Sequence, residues 1–436
     1  MLKDCFGSNV STDDAANLVA INDFIQGFIR YETRAAGILK AAGCDCALAN
    51  AYCGILFLFL ESPEAPERAA PHLAAAQTYI SAATPREKFT LDYAKAWLNA
   101  QQQADYKPLL QLGEDARKRF PQDLVLMKLH QYHCFNAGDA PAMLRAAQAA
   151  HQQHPGVAQV FGMLAFGYEQ CHWLAEAEDA AKAALALEKK EPWAQHALAH
   201  VMLTQGRIAE GARFLEGVED TWDGLNSFML THLWWHRALF YLSLGRFDDA
   251  LNVYDNHTLN ADPSYSQDQI GAVSLLARLE LAGIDVEQRW STLGQLLKGR
   301  AHDVVQPFLS LQYLYGLAKA GMSEADELLD AIKTQRASGW QSVAQPAAQA
   351  LYAHAKADWD TAYQHMSLAL PLLREIGGSH AQRDLFEQIA LDAAIRSERY
   401  VIAQQMIEAR RQFDPIGVPL MRQRAHVNAA LEIAES

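Results

Sequence analysis

The feature that most limits the possible folds of this chain is a repeated helical pattern. The spacing His-x-x-x-His occurs at His196/His200 and again, 36 residues later, at His232/His236. Side chains four residues apart lie on the same face of a helix, so each pair presents two imidazoles together. An offset of 36 residues is close to the ~34-residue period of helix-turn-helix repeats. We therefore expect the two pairs at equivalent positions of neighbouring repeats.

Short turns recur between the predicted helices. They contain Gly or Asp and lie at 137–141, 205–207, 244–250 and 357–362. A pair of amphipathic helices cannot bury its apolar faces alone and must stack on its neighbours. The period-two alternation that is typical of strands does not extend over more than a few residues. The sequence thus predicts an all-α fold, a tetratricopeptide-like helix-turn-helix solenoid (α-α superhelix).

Composition and charge exclude several classes of function. The chain of 436 residues is 50% hydrophobic and has a formal net charge of −14, without any run of Lys or Arg. A chain this acidic repels phosphate backbones. We therefore expect no nucleic-acid binding. No stretch reaches the ~20 apolar residues that span a bilayer, and the N-terminus lacks the apolar core of a signal peptide. Together with six scattered cysteines, this predicts a cytoplasmic protein that binds no membrane.

Five blocks of the chain resemble the tetratricopeptide repeat protein 38 family in their order and approximate spacing. They are Ala-Phe-Gly-Tyr-Glu at 165–169, Trp-Ala-Gln-His-Ala-Leu-Ala-His at 193–200, His-Leu-Trp-Trp-His-Arg-Ala-Leu at 232–239, Tyr-Asp-Asn-His at 254–257 and Ile-Gly-Gly-Ser-His-Ala-Gln-Arg-Asp at 376–384. The resemblance implies a fold of stacked helix pairs and does not imply an activity.

No long linker divides the chain, so residues 1–436 are predicted to form a single continuous solenoid. Within it, 1–157 hold less specific N-terminal repeats, and 158–415 hold the family-like repeats with a histidine-rich groove. Residues 416–436 follow Pro415 and are predicted to form a C-terminal capping helix. An apolar surface on that helix can either cap the solenoid or pair two chains, so the sequence does not decide whether the protein forms an oligomer.

The four histidines are candidate metal ligands. Their helices are both first helices of their repeats, and neighbouring helix axes lie about 8–10 Å apart, which lets the side chains converge. One further period leads to Asp268, a fifth candidate ligand. Neutral imidazoles with a carboxylate suit a divalent ion such as Zn, Fe, Ni or Mn. The metalloprotease pattern is absent, because Ala197 and Leu233 stand where that motif has Glu. The alternative is a core of histidines hydrogen-bonded to one another, to Asp268 or to the backbone.

A second group of polar residues lies near a predicted helix start. Gly377-Gly378 interrupts one helix, and Ser379 with Gln382 has the spacing of a capping box that opens the next. His380 and Asp384 share a face of that helix, and Arg383 adjoins them. A helix N-terminus with His and Arg attracts carboxylates or phosphates. The alternative is an Arg383–Glu387 or His380–Asp384 pair that only joins two helices.

Two classes of function remain. In the first, the groove binds a small acidic molecule or a metal and can act as a hydrolase with a histidine general base; the sequence leaves open whether it is an enzyme. The catalytic candidates are His196, His232 and His380, and the substrate-binding candidates are Trp193, Trp235, Arg383 and Asp384. In the second, the protein is a non-enzymatic scaffold that holds a partner peptide in the groove.

A last prediction concerns two histidines outside these groups. His130 and His133 are three residues apart and stand next to polar residues such as Gln131. We expect both to be exposed to solvent.

Overall fold

The computed structural model describes residues 1–259 and 261–434. Within them the chain forms twenty-two α-helices, α1 to α22, and one short two-stranded hairpin. Most helices follow one another in pairs joined by tight turns, which confirms the predicted all-α, tetratricopeptide-like fold class. None of the helices in the described ranges is both long and apolar enough to cross a membrane.

The chain divides into two compact units. Unit one comprises residues 1–135, 139–194 and 222–226, and unit two comprises 136–138, 195–221 and 227–436. The prediction of a single continuous solenoid concerns how such units are arranged, and it stays a prediction.

Unit one begins with an antiparallel hairpin of β1 (Leu2–Lys3) and β2 (Asn9–Val10). Its helices are α1 (Ala15–Arg30), α2 (Ala47–Leu58), α3 (Ala65–Thr78), α4 (Pro85–Gln103), α5 (Lys107–Arg119), α6 (Leu124–Asn136), α7 (Ala140–Gln153), α8 (Ala158–Gln170) and α9 (Leu174–Leu187). Helix α10 (Pro192–Thr204) starts in unit one and continues in unit two. Successive helices pack closely in this unit, as α2 does on α3 and α8 on α9.

Unit two continues the series with α11 (Ile208–Glu216), α12 (Ser227–Ser243), α13 (Phe247–His257), α14 (Ser266–Leu281), α15 (Glu287–Leu297), α16 (Pro307–Lys319), α17 (Glu324–Thr334), α18 (Gln345–Ala355), α19 (Trp359–Ala369), α20 (His380–Arg396), α21 (Tyr400–Arg410) and α22 (Val418–Ala430). The first helices of successive repeats are neighbours, since α12 packs on α14, α14 on α16 and α16 on α18. Leu420 and Val427 of α22 pack in an apolar cluster with residues of α20 and α21. This series places equivalent positions of successive repeats side by side.

The predicted turns fall between the two helices of a repeat. Three of them contain glycines with positive φ, Gly138 (71°), Gly206 (69°) and Gly245 (73°). This left-handed conformation ends the first helix of the repeat, and glycine adopts it without steric cost. The fourth turn has Ala357 at φ 61°. The positions of the four turns are thus confirmed, but three turns are shorter than predicted, because α7, α13 and α19 begin within the predicted ranges 137–141, 244–250 and 357–362.

The prediction that His130 and His133 are exposed is wrong. Their side chains are 1% and 2% exposed. His133 Nδ1 lies 3.0 Å from the Tyr93 hydroxyl, and His130 Nε2 lies 3.2 Å from a carboxylate oxygen of Glu114. Helix α6 is a first helix with neighbours on several sides, so even its polar positions are covered, and each of the two histidines makes at least one hydrogen bond.

Candidate metal centre

Four histidines on two neighbouring helices converge in unit two. Helix α10 carries His196 and His200, and α12 carries His232 and His236. His196 Nε2 lies 3.0 Å from His200 Nε2 and 3.1 Å from His232 Nε2, and His232 Nε2 lies 3.2 Å from His236 Nε2. One nitrogen from each ring lies within 4.8 Å of all the others. The predicted offset of one repeat therefore brings all four imidazoles close together.

Three contacts between these nitrogens can be compared with the geometry of a tetrahedral metal site. Four nitrogens bound to Zn²⁺ at 2.0–2.1 Å in a tetrahedron lie about 3.3 Å from one another. The three Nε2 to Nε2 distances, 3.0 to 3.2 Å, are close to that edge length. Without an ion, each contact needs a proton on one of its two nitrogens. An ion instead uses the lone pairs of all four nitrogens at once.

Burial keeps three of these imidazoles, those of His196, His232 and His236, neutral. His196, His200 and His236 are at most 1% exposed, and His232 is partly exposed. Burial, with a smaller contribution from the neighbouring imidazoles, lowers the pKa of His196 and His236 well below the ordinary value and that of His232 to about 3. Neutral imidazole is the form that binds metal ions. At neutral pH these three imidazoles are therefore in the form that can donate a lone pair.

A stack of rings fixes the orientation of His232. Its ring lies parallel to Trp235, at 5.3 Å and 9°, and nearly parallel to Phe228, at 5.2 Å and 24°. The Trp235 ring also meets His236 edge-on at 4.8 Å. The guanidinium of Arg278 lies 5.4 Å from the centre of the Trp235 ring. Trp235, a substrate-binding candidate from the sequence, is therefore in direct contact with the cluster and is only 2% exposed.

His380 lies at the edge of the cluster. Its ring centre is 5.1 Å from that of His200, and its Nε2 is 2.8 Å from the hydroxyl of Thr204 on α10. His380 is the first residue of α20, which begins with the predicted capping box: Ser379 Oγ accepts from the Gln382 N–H, and Gln382 Oε1 accepts from the Ser379 N–H. The capping box is thus confirmed, and it holds His380 beside α10.

Replacing the capping hydroxyl gives a first testable result. We expect Ser379→Ala to lower the free energy of unfolding by about 1 kcal/mol, because it leaves an N–H of the first turn without its acceptor. The matched control is Ser323→Ala, since Ser323 precedes α17 without a side-chain capping bond. Urea unfolding followed by circular dichroism measures both. An equal loss in the two variants would contradict the assigned cap.

Asp268 does not join the converging nitrogens. Its carboxylate accepts hydrogen bonds from Ser227 Oγ and, at 2.9 Å, from Thr231 Oγ1. The residue is fully buried, and burial raises its pKa to about 6, although the two hydroxyls lower it. Asp268 therefore ties α14 to the first two turns of α12, the helix that carries two of the histidines.

Two further predicted site residues lie on α20 in contacts with protein groups. Arg383 donates to the carbonyl oxygens of Gly377 and Gly378, in the loop before α20. Asp384 accepts from Arg410 at 2.5 Å and lies 3.8 Å from Arg278. Burial alone would raise the pKa of Asp384, but the two arginines lower it below its usual range. The predicted pair of His380 with Asp384 is not formed.

Trp193 belongs to unit one. Its ring lies 5.0 Å from that of Tyr31 and 4.6 Å from that of Phe166. These contacts make it part of the aromatic packing at the start of α10. Its predicted role in substrate binding stays a prediction.

Sequence reasoning missed the buried arginines of unit two. Arg278 is 4% exposed and donates to Ser274 and to the Ala381 carbonyl oxygen, at 2.8 Å. Burial lowers its pKa to about 10, against the opposing effect of Asp384. A single Arg within the apolar run of α14 was the available signal, because a charged residue there needs a partner.

No protein-family model matches the chain. Solved structures with a similar fold include the APC/C hetero-tetramer Cut9-Hcn1 (TM-score 0.43, 12% identity, 95% of this chain and 77% of that chain). Others are human IFIT1 dimers, with PPP-AAAA (TM-score 0.44, 12% identity, 99% and 98%) and with m7Gppp-AAAA (0.45, 14%, 99% and 98%). Because each TM-score is below 0.5, none of them indicates what this chain binds. The resemblance to the tetratricopeptide repeat protein 38 family stays a prediction.

Proposed function

We propose that this helical-repeat protein is a binding protein whose second unit holds one divalent transition-metal ion between α10 and α12. The ligands are His196, His200, His232 and His236, and the ion has a structural role. The observation that carries the proposal is the convergence of four Nε2 atoms at 3.0 to 3.2 Å from their neighbours.

The donor set indicates which ions fit. Four imidazole nitrogens suit Zn²⁺, Cu²⁺, Ni²⁺ or Fe²⁺, whereas Mg²⁺ and Ca²⁺ prefer oxygen ligands. Four protein ligands complete the tetrahedral coordination of Zn²⁺. Catalytic zinc sites keep one position open for water, so a complete set of four supports a structural role.

The surroundings also favour binding over hydrolysis. An efficient general base has a pKa near the working pH, whereas burial lowers the pKa of His232 to about 3 and that of His196 well below its ordinary value. His380 contacts the Thr204 hydroxyl, and Arg383 donates to backbone carbonyls. These contacts support a structural use of the residues predicted to be catalytic or substrate-binding.

The scaffold function predicted as the alternative is compatible with this ion. A metal that joins α10 to α12 would stiffen two neighbouring repeats, and repeat proteins commonly bind partners on the surface that their repeats form. The ion would be buried, which leaves that surface to the partner. A peptide or protein partner, the absence of nucleic-acid binding and a cytoplasmic location remain predictions from composition and fold class.

Metal analysis tests the proposal. Protein purified without a histidine tag and dialysed against zinc should hold about one ion per chain. The double variant His200→Ala/His236→Ala should hold less than a tenth of this, with its helical circular dichroism retained. The matched control is His302→Ala, because the side chain of His302 is 77% exposed. Absence of uptake by the natural protein, or equal uptake by the double variant, would contradict the proposal.

A further inference from the structure

The four histidines of the proposed metal site differ in their exposure to solvent. His196, His200 and His236 are at most 1% exposed, whereas His232 is partly exposed. Side chains in a close-packed core have little room to change rotamer, whereas those at a surface change rotamer within nanoseconds. An ion can leave such a site after one of its ligands turns away. His232 is the ligand with the room to do so.

His232 lies between two aromatic rings of its own helix. Its ring centre is 5.3 Å from that of Trp235 and 5.2 Å from that of Phe228. Trp235 is 2% exposed, whereas Phe228 is partly exposed. The stack therefore runs from the core to the surface, and Phe228 is its outer ring. When His232 turns out of the stack, it loses its contact with both rings.

The backbone around His232 is held in place. Ser227 Oγ and Thr231 Oγ1 both donate to the carboxylate of Asp268 on α14. Leu233, the residue after His232, is fully buried. These contacts fix the first two turns of α12 against the neighbouring helix. Rotation of the His232 side chain, and not a shift of the helix, therefore has to open the site.

We propose that His232 is the ligand through which the site exchanges its ion with solvent, and that Phe228 is the gate that limits the rate. The exchange route rests on the proposed function, an ion held by the four histidines. The ring of His232 turns out of the stack, the ion passes through the position that the ring leaves, and the three buried imidazoles release it last.

The open form of the site accepts a small donor from solution. With His232 turned away, three imidazoles remain on the ion. A zinc ion with three protein ligands takes water or another small donor in its fourth position. Free imidazole is such a donor, because it supplies the same nitrogen lone pair as the side chain that it replaces.

Release of zinc from the loaded full-length protein tests the gate. In an excess of a chromogenic chelator, Phe228→Leu should release zinc about three- to tenfold faster than the natural protein, because the lost ring contact stabilises the closed site and is absent once the site opens. Phe228→Tyr keeps the ring and should keep the natural rate. The matched control is Phe413→Leu, since Phe413 is also partly exposed but lies against the guanidinium of Arg410, at 5.7 Å. This control should release zinc at the natural rate.

Rescue by free imidazole tests the role of His232. His232→Gly should lose most of its zinc and regain at least half of the lost zinc when imidazole is added, because the vacated position is open to solvent. His200→Gly makes the same substitution at a fully buried ligand. Added imidazole should not restore zinc to this variant.

The two experiments use different variants, so each tests the exchange route even if a variant of the other does not fold. A release rate of Phe228→Leu no faster than that of the natural protein would overturn the gate. Equal rescue of the two glycine variants would overturn the role of His232. Both results would leave the four-histidine site in place. Absence of zinc uptake by the natural protein would instead overturn the proposed function and the exchange route together.

Discussion

Zinc-loaded protein is expected to unfold at a higher urea concentration than metal-free protein. A ligand that binds only the folded state stabilises it by about 4 kcal/mol when its free concentration is a thousand times its dissociation constant. The ion would be held by His196 and His200 from α10 and His232 and His236 from α12. The zinc-dependent rise in the free energy of unfolding, called the zinc increment below, should therefore stabilise unit two. A chelator should remove it.

One ligand variant and one control make this result specific. His200→Ala removes a fully buried imidazole of the cluster. In this variant, zinc should raise the free energy of unfolding much less than in the natural protein. His302→Ala changes a largely exposed histidine and should keep the zinc increment. An increment of equal size in both variants would place the bound zinc elsewhere.

The free energy of unfolding of the metal-free protein should fall more steeply with falling pH than that of a chain whose histidines are exposed. Unfolded histidines bind protons near pH 6.5, whereas burial keeps the pKa of folded His232 at about 3 and those of His196 and His236 well below their ordinary value. The unfolded state therefore binds more protons below pH 6.5, and stability falls as the pH falls. For His232 alone the loss between pH 6.5 and pH 5 is about 2 kcal/mol.

Urea unfolding at pH 7.5, 6.5 and 5 measures this loss. His232→Gln removes one titrating ring and should flatten the pH dependence, even if it lowers stability at pH 7.5. His302→Ala should retain the natural slope. A natural protein whose free energy of unfolding is constant between pH 6.5 and pH 5 would contradict the neutral, buried state of His196, His232 and His236.

The repeat fold and the register of the histidines could be predicted from the sequence. Spacing of four places His196 and His200 on one helix face, and an offset of one repeat places His232 beside His196, with the two Nε2 atoms 3.1 Å apart. The capping box of Ser379 and Gln382 was equally predictable. Each depends on local geometry, which a helical repeat reproduces along the chain.

Other features depended on contacts that spacing does not specify. Asp268 continues the 36-residue offset, but the hydroxyls of Ser227 and Thr231 bind its carboxylate away from the imidazoles. One partner of Asp384, Arg410, lies on the next helix, α21, and the other, Arg278, lies on α14, about a hundred residues earlier in the chain. Lys128 lies in a helix that is buried at most of its positions, and its acceptors belong to α1, about a hundred residues earlier. Such pairs arise from tertiary packing, so the local sequence pattern does not predict them.

X-ray absorption at the zinc edge of the loaded protein tests the central claim most directly, because it reports the ligand type, the ligand number and the metal-to-ligand distances. The account predicts four nitrogen ligands at about 2.0–2.1 Å, with the outer-shell scattering of imidazole rings. A first shell of mainly oxygen or sulfur atoms, or fewer than three imidazoles, would contradict a zinc ion held by the four histidines of α10 and α12.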